Sequence, residues 1–219
     1  MEYETEEQQV EALKNWWAEN GRAVIAGVVL GGAVIGGWTL WQSHSEGKSI
    51  AASDAYSRTM VALSQDNPDD ALKFADEAQE DSPGHLYAAY AGMAAALAAV
   101  EKGDLAEAAK RLQWVVDNTS QNDIKLIAQV RLARVRGAEG EAAAGLASLP
   151  SSFPEAFTGM VEEARGDLHM LAGDTDAART AYQAAASAEF VANREGLTMK
   201  LNELAQPGDQ DDTASESTS

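Results

Sequence analysis

The chain has 219 residues, contains no cysteine and carries a formal net charge of −19. The lack of cysteine excludes disulfides, thiolate metal sites and thiol catalysis. A charge this negative repels phosphate backbones, so we expect no nucleic acid partner.

An uncharged segment, residues 23–41, lies near the N-terminus. At about 1.5 Å per residue it spans roughly 28 Å, close to the hydrocarbon thickness of a bilayer. Trp16 and Trp17 precede it, and Trp38 and Trp41 lie at its end, where indole rings favour the headgroup interfaces. The preceding residues are acidic, unlike the basic start of a cleaved signal peptide. The sequence therefore predicts a retained transmembrane helix in the lipid bilayer.

Two pairs of glycines lie within this segment, Gly27 with Gly31 and Gly32 with Gly36. Small residues at this spacing allow close contact between helices in lipid, where packing drives association. Glycine is also common in membrane helices, and the two pairs project in different directions. A partner helix and an ordinary membrane-helix composition therefore both remain open.

The number of basic residues is the same on both sides of the membrane helix, so charge hardly decides its orientation. Lys14 and Arg22 precede the segment, and Lys48 and Arg58 follow it, so the positive-inside rule gives almost a tie. Arg22 adjoins the segment, and a large following domain can be translocated largely regardless of its charge. This weakly favours a cytoplasmic N-terminus, residues 1–22, and an exported C-terminal domain.

From Ser49 onward the sequence is rich in alanine, with apolar residues at helical spacing. Proline, glycine and polar runs interrupt this pattern and predict helices of about ten to twenty residues with antiparallel neighbours. The predicted breaks are Asn67-Pro68, Ser82-Pro83-Gly84, Lys102-Gly103-Asp104, residues 118–123, residues 137–140, residues 150–154 and Gly173-Asp174. We therefore predict an all-α fold.

The predicted turns also look periodic. Gly103, Gly137 and Gly173 lie 34 and 36 residues apart, near the 34-residue period of the tetratricopeptide repeat. The last repeat is the most complete, with Gly166 in its first helix and Tyr182 in its second. Because each helix pair buries one face only against its neighbours, we predict a short tetratricopeptide repeat-like α-solenoid.

The predicted organisation has five parts. They are the N-terminal segment (1–22), the transmembrane helix (23–41), a linker (42–48), the repeat-like domain (49–205) and an acidic tail (206–219). Within the domain, residues 49–80 would form a first helix pair and residues 190–204 a capping helix. The tail is polar and acidic, so we expect it to be disordered.

The sequence offers little support for catalysis. His44, His85 and His169 are dispersed and have no metal-ligand spacing, and no phosphate-binding loop or GxSxG motif occurs. We therefore predict no catalytic residue, no metal site and no cofactor, and we interpret the chain as a non-enzyme. An enzyme with an unrecognised site would instead have a compact pocket of converging titratable residues.

A basic cluster stands out in this acidic chain, formed by Arg131, Arg134 and Arg136 together with Lys125. Such a cluster could bind a carboxylate of a partner segment. Basic residues in this setting more often pair with acidic neighbours across repeats. Both interpretations remain open.

Several motifs together resemble the YfgM family, the ancillary subunits of the bacterial SecYEG translocon. They are Gln9-Val10-Glu11-Ala12, Trp16-Trp17, Glu19-Asn20-Gly21, Gly36-Gly37-Trp38, Trp41, Ser43-His44, Arg131-Leu132-Ala133-Arg134-Val135, Arg165-Gly166-Asp167, Gly173-Asp174, Ala177-Ala178-Arg179 and Met199-Lys200-Leu201-Asn202. Their order and spacing agree with the family over nearly the whole chain except the acidic tail.

The resemblance implies a short cytoplasmic N-terminus, one inner-membrane anchor and a periplasmic repeat domain that acts beside the translocon with the chaperone PpiD. The function expected from it is non-enzymatic: the repeat domain would bind chaperones or emerging secretory polypeptides. An alternative is a cytoplasm-facing, membrane-anchored adaptor that recruits signalling or assembly proteins, with the anchor inserted the other way.

Overall fold

The computed structural model describes the backbone of residues 6–204 and the side chains of residues 8–43 and 46–204. These residues form helices and no strand, which confirms the predicted all-α class. The acidic tail, residues 206–219, lies outside the described residues. The chain divides into two compact units, with the division after Lys48.

The first unit consists of the N-terminal part of α1, a single helix that runs from Glu6 to Ser64. The apolar side chains of its uncharged segment are exposed, for example Val28 and Leu40, as expected for a surface that faces lipid. Among the described helices, α1 alone is long and apolar enough to cross a membrane. The predicted linker, residues 42–48, is helical and continues α1.

The second unit begins with the last turns of α1 and continues through shorter helices, each of which packs on its neighbours. They are α2 (Pro68–Asp81), α3 (Leu86–Glu101), α4 (Leu105–Asn118), α5 (Asn122–Ala138), α6 (Ala142–Ser148), a 3-10 turn (Glu155–Phe157), α7 (Thr158–Leu171), α8 (Thr175–Ala186) and α9 (Arg194–Glu203). The breaks between helices fall where they were predicted, except that α5 continues through Gly137 and Ala138, and α9 lies where the capping helix was expected.

One type of turn joins the two helices of each pair. Asp66, Gly103, Gly140 and Gly173 all have positive φ, between +55° and +89°. After each of them, the next residue donates its N–H to the carbonyl oxygen five residues earlier, at 2.9 Å. This is the Schellman motif, in which a left-handed residue ends a helix and satisfies its last carbonyls. The described residues thus form four helix pairs, α1–α2, α3–α4, α5–α6 and α7–α8.

The predicted turn residue of the middle repeat is wrong. Gly137 lies inside α5, where a Cβ would approach Cδ2 of Leu168 to 2.5 Å. Gly140 makes the turn, and Gly145 follows at the small position that Ala178 occupies in the last pair. The two glycines are only three residues apart and serve different purposes, close helix approach at Gly137 and left-handed backbone at Gly140. The sequence period alone could not separate them.

Small side chains allow the helices to approach closely. Between α2 and α3 the core consists largely of alanines, including Ala75, Ala78, Ala88, Ala91 and Ala95, all at most 1% exposed. Alanine favours helix and loses no side-chain entropy on burial. Larger residues such as Leu112 and Val115 fill the core between α3, α4 and α5.

Gly166 of α7 and Tyr182 of α8 form the closest of these contacts in the last pair. A Cβ at residue 166 would overlap the tyrosine ring, so the glycine provides the space into which the ring packs. Tyr182 is 3% exposed and lies in a core cluster with Ala178, Ala185 and Leu197. The contact joins α7 and α8 and supports α9.

Candidate functional site

The second unit contains an open groove of about 630 Å³, a volume typical of ligand-binding sites. It is lined mainly by the first helices of three pairs, namely the last turns of α1, then α3 and α5. Its apolar residues include Tyr56 and Met60 of α1, Tyr90 and Leu97 of α3, and Ile127 of α5. The first helices of the repeats therefore present an apolar surface.

The spacing of residues along α3 explains why large apolar side chains reach the groove. Tyr90, Met93, Leu97 and Val100 follow a helical period and form one stripe, while alanines on the opposite face pack on α2. Leu97 is 51% exposed, Met60 is 43% and Val100 is 40%. These exposed apolar side chains make the stripe a candidate site of interaction.

One repeat position changes character along the domain. In each helix pair, one residue precedes the turn residue by six positions. These residues are Met60, Leu97, Arg134 and Asp167. The first two line the groove, whereas Arg134 Nη2 lies 3.0 Å from Asp167 Oδ2. The same position therefore contributes an apolar surface in the first two pairs and an ion pair in the last two.

Asp167 is the centre of a group of polar contacts that we call the Asp167 network, comprising Arg134, Glu163, Asp167, Tyr182 and Lys200. Lys200 Nζ lies 2.7 Å from oxygens of both Glu163 and Asp167, and the Tyr182 hydroxyl donates to Asp167 Oδ1 at 2.9 Å. The network joins α5, α7, α8 and α9, and the groove lining ends at it, at Arg134.

The Asp167 network alters the acid–base properties of its members. Burial raises the pKa of Tyr182, and the negative charge of Asp167 and its hydrogen bond add to this effect. Burial alone would lower the pKa of Lys200, but hydrogen bonds to Asp167 and Glu163 outweigh it and raise that pKa. Both groups thus remain protonated, and the network intact, at neutral pH.

The structure separates the three arginines of the basic cluster. Arg134 belongs to the Asp167 network, and Arg136 Nη2 donates to Gln113 Oε1 at 3.4 Å. Arg131 is exposed and lines the groove; among the described residues it has no ion-pair partner. Lys125 is exposed and is not part of the groove lining.

The four glycines of the predicted membrane segment lie on α1 in open surroundings. A Cβ built at Gly27, Gly31, Gly32 or Gly36 would meet no other atom within 4 Å. Within the chain itself, these positions therefore leave space for another helix. Their use as a contact surface stays a prediction.

Aromatic rings border the groove at its N-terminal end. The ring of Tyr56 lies 5.8 Å from that of Tyr90 and 5.9 Å from that of Tyr87. His85 accepts the N–H of Tyr87 at 3.3 Å through Nδ1, which caps α3, and its Nε2 lies 2.8 Å from the Ser49 hydroxyl. This places His85 in a structural role between α1 and α3, where its ring also stacks on that of Tyr87 with 5.5 Å between the centroids.

The sequence identified the arginines at one end of the groove but not the apolar residues that form most of it. Met60 and Leu97 share a repeat position, which becomes visible only when Asp66 is recognised as a turn residue. Aspartate is among the few residues besides glycine that tolerate left-handed backbone. A search for Asp or Asn at the expected period would have found the first pair and, with it, Met60.

Comparison with known proteins places the chain in one family. A model of the tetratricopeptide repeat-like domain matches residues 14–206. A protein of Escherichia coli named "Ancillary SecYEG translocon subunit" is 36% identical over 207 residues, which cover 93% of this chain and 98% of that protein.

Relatives with the same name occur in other bacteria. The protein of Haemophilus influenzae is 28% identical over 199 residues (91% of this chain, 97% of the relative), and that of Neisseria gonorrhoeae is 24% identical over 204 residues (91% and 97%). No solved structure matches the chain significantly. The chain belongs to the family of ancillary SecYEG translocon subunits, the YfgM family, as its motifs predicted.

Proposed function

We propose that this chain is a non-enzymatic accessory of the SecYEG translocon that binds polypeptide segments in its apolar groove. The observation that carries this proposal is the groove itself, with Met60, Leu97 and Val100 at 40 to 51% exposure. Methionine side chains are flexible and polarizable, and they suit surfaces that must accept varied partners. Met60 and Met93 both line the groove.

In this proposal, residues 23–41 anchor the chain in the bacterial inner membrane, with residues 1–22 in the cytoplasm. The repeat-like domain, residues 49–205, lies in the periplasm, where the absence of cysteine suits an oxidising compartment. The length and exposure of the apolar segment of α1 support the anchor. The names of the relatives support the proximity to the translocon.

The proposed occupants of the groove are the chaperone PpiD and emerging secretory polypeptides. Anchoring confines the groove to the membrane region and so raises its effective concentration for weak ligands near the channel. The glycines of α1, with Gly27, Gly31, Gly32 and Gly36, would contact the membrane helices of the channel. Weak contacts at both places can then act together.

Two other functions compete with this one. An enzyme needs converging titratable groups, whereas the groove is lined mostly by apolar residues. In the part of the chain that the structure describes, no group of three His, Asp or Glu side chains could hold a metal ion. A cytoplasmic adaptor would use the same groove with the opposite membrane orientation.

Membrane orientation distinguishes the adaptor from the translocon accessory. The natural chain has no cysteine, so single cysteines at Glu11 and at Gln183, both exposed, give an unambiguous signal. We expect a membrane-impermeant maleimide to label Gln183→Cys in spheroplasts and Glu11→Cys only after lysis. Labelling of Glu11→Cys alone in spheroplasts would overturn the periplasmic proposal and favour the adaptor.

A further inference from the structure

We propose that the groove selects polypeptide segments that carry one acidic side chain beside their apolar residues, and that Arg131 recognises this side chain. This inference rests on the proposed binding function of the groove. It assigns a chemical class to the occupant and a specificity-determining role to one residue.

The first step is the charge of the groove. Among the described residues that line it, only Arg131 and Arg134 are charged. Arg134 already forms an ion pair with Asp167, whose Oδ2 lies 3.1 Å from Nε and 3.0 Å from Nη2 of the arginine. Glu163 Oε2 lies 3.9 Å from the same Nη2. Arg131 is exposed and has no such neighbour in the described part of the chain. The groove therefore presents one cation without a counter-ion, at the α5 end of an apolar surface.

The second step is complementarity. A purely apolar occupant would cover Arg131 without giving it a partner, and burying an unpaired charge is costly. A strongly acidic occupant would gain little from Met60 and Leu97 and would be repelled by the net charge of −19. An occupant with apolar residues and a single carboxylate would contact the apolar lining and also give Arg131 a counter-ion. Arginine also binds carboxylates with two parallel hydrogen bonds, which adds specificity.

The chain's own segments are poor occupants by the same criteria. Residues 205–219 contain four carboxylate side chains, but their apolar side chains are limited to two alanines and one proline. A second copy would bring another −19 charges to the same surface. A segment of a different protein therefore fits the groove best.

The test uses the full chain in nanodiscs of zwitterionic lipid and fluorescence anisotropy of labelled peptides. The two probes are 14-residue peptides with leucine and phenylalanine anchors that differ only in one central residue, glutamate or glutamine. We expect the natural chain to prefer the glutamate peptide at least fivefold. Arg131→Gln should abolish this preference and leave the glutamine peptide within twofold, because Arg131 is exposed and its loss leaves the core unchanged.

Lys125→Gln is the matched control, since it removes the same charge from an exposed position of α5 outside the groove. It should leave both affinities unchanged. Arg131→Glu should reverse the preference and favour a third peptide with lysine at the central position. Such a reversal would not follow from a general loss of folding.

Several results would overturn the inference. These are equal affinities of the natural chain for the two peptides, no binding of either, or the same loss in Lys125→Gln as in Arg131→Gln. If Leu97→Asp removes binding of both peptides while Arg131→Gln keeps the preference for the glutamate peptide, the groove binds segments but Arg131 does not select them. A fivefold gain in affinity on truncation after Leu204 would show that the tail, and not a segment of another protein, occupies the groove. A dimer that the peptide dissociates would show the same for a second copy of the chain.

Discussion

The two halves of the repeat domain use the same helix position in opposite ways. In the α1–α2 and α3–α4 pairs this position holds Met60 and Leu97, which lie exposed in the groove. In the α5–α6 and α7–α8 pairs it holds Arg134 and Asp167, which bind each other. The backbone turn is the same in all four pairs. The repeat thus fixes where the side chain lies, and the residue type decides whether that place is an exposed apolar surface or an ion pair that joins helices.

A second ion cluster shows that the domain commonly uses its few cations to join helices. Arg111 of α4 is 8% exposed and bonds both Asp76 of α2 and Glu107 of its own helix. Burial alone would lower the pKa of Arg111, but hydrogen bonds to the two carboxylates raise it. Arg131, which lacks such partners in the described chain, therefore differs from both Arg111 and Arg134.

The largest effect on stability is expected from Asp167→Ala, which removes the centre of the Asp167 network. The Tyr182 hydroxyl loses its partner, and Arg134 and Lys200 each retain only Glu163, which lies 3.9 Å from Arg134 and 2.7 Å from Lys200. Hydrogen bonds to charged, partly buried groups contribute a few kcal/mol, so we expect a loss of about 2 kcal/mol. This corresponds to a decrease in unfolding temperature of roughly 4 to 8 °C, measurable by circular dichroism of the full chain in detergent.

Lys102→Gln provides the control for this variant. Lys102 Nζ lies 2.5 Å from Asp69 Oδ1, but the side chain of Asp69 is 81% exposed. Exposed ion pairs contribute little, so no measurable change in unfolding temperature is expected. Equal unfolding temperatures of the natural chain and Asp167→Ala would show that the charged half of the domain does not depend on its network.

A smaller effect is expected from Tyr182→Phe, which removes only the hydroxyl bond to Asp167. At pH 8 this variant should be less stable by about 1 kcal/mol. The pKa of Tyr182 is raised in the folded chain, so its stabilising contribution is complete below the unfolded value of about 10 and is lost as pH rises above it. The difference between the two proteins should therefore narrow by about pH 11.

Denaturant titrations at pH 8 and pH 11 measure this difference. Lys200, whose pKa is also raised, keeps its contacts with Glu163 and Asp167 in both proteins and so does not affect the comparison to first order. A difference that stays constant between the two pH values would contradict the proposed coupling between Tyr182 and Asp167.

Local patterns were sufficient to predict the helices and most of their boundaries. Proline and glycine mark the ends, as at Pro68 and Gly103, and these signals depend only on backbone geometry. Gly166 and Tyr182 were assigned to the two helices of the last repeat, but their close contact was not predicted. The register of the middle repeat was wrong because Gly137 and Gly140 both fit the pattern.

The partners of charged side chains could not be predicted. Arg134 and Arg131 are equivalent in the sequence, three residues apart on one helix, yet only Arg134 reaches Asp167. The difference arises from the packing of α5 on α7, which local periodicity does not encode. The groove could likewise not be predicted, because an apolar stripe on α3 has the same sequence pattern whether it faces the core or solvent.

The central claim is that the apolar half of the domain binds other polypeptides beside the translocon. A photo-crosslinking amino acid at Leu97, in the groove, can be compared in living cells with one at Gln183, which is exposed on α8. We predict crosslinks from Leu97 to PpiD or to secretory polypeptides, and few or none from Gln183. Equal yields at the two positions, or adducts at neither, would contradict the account.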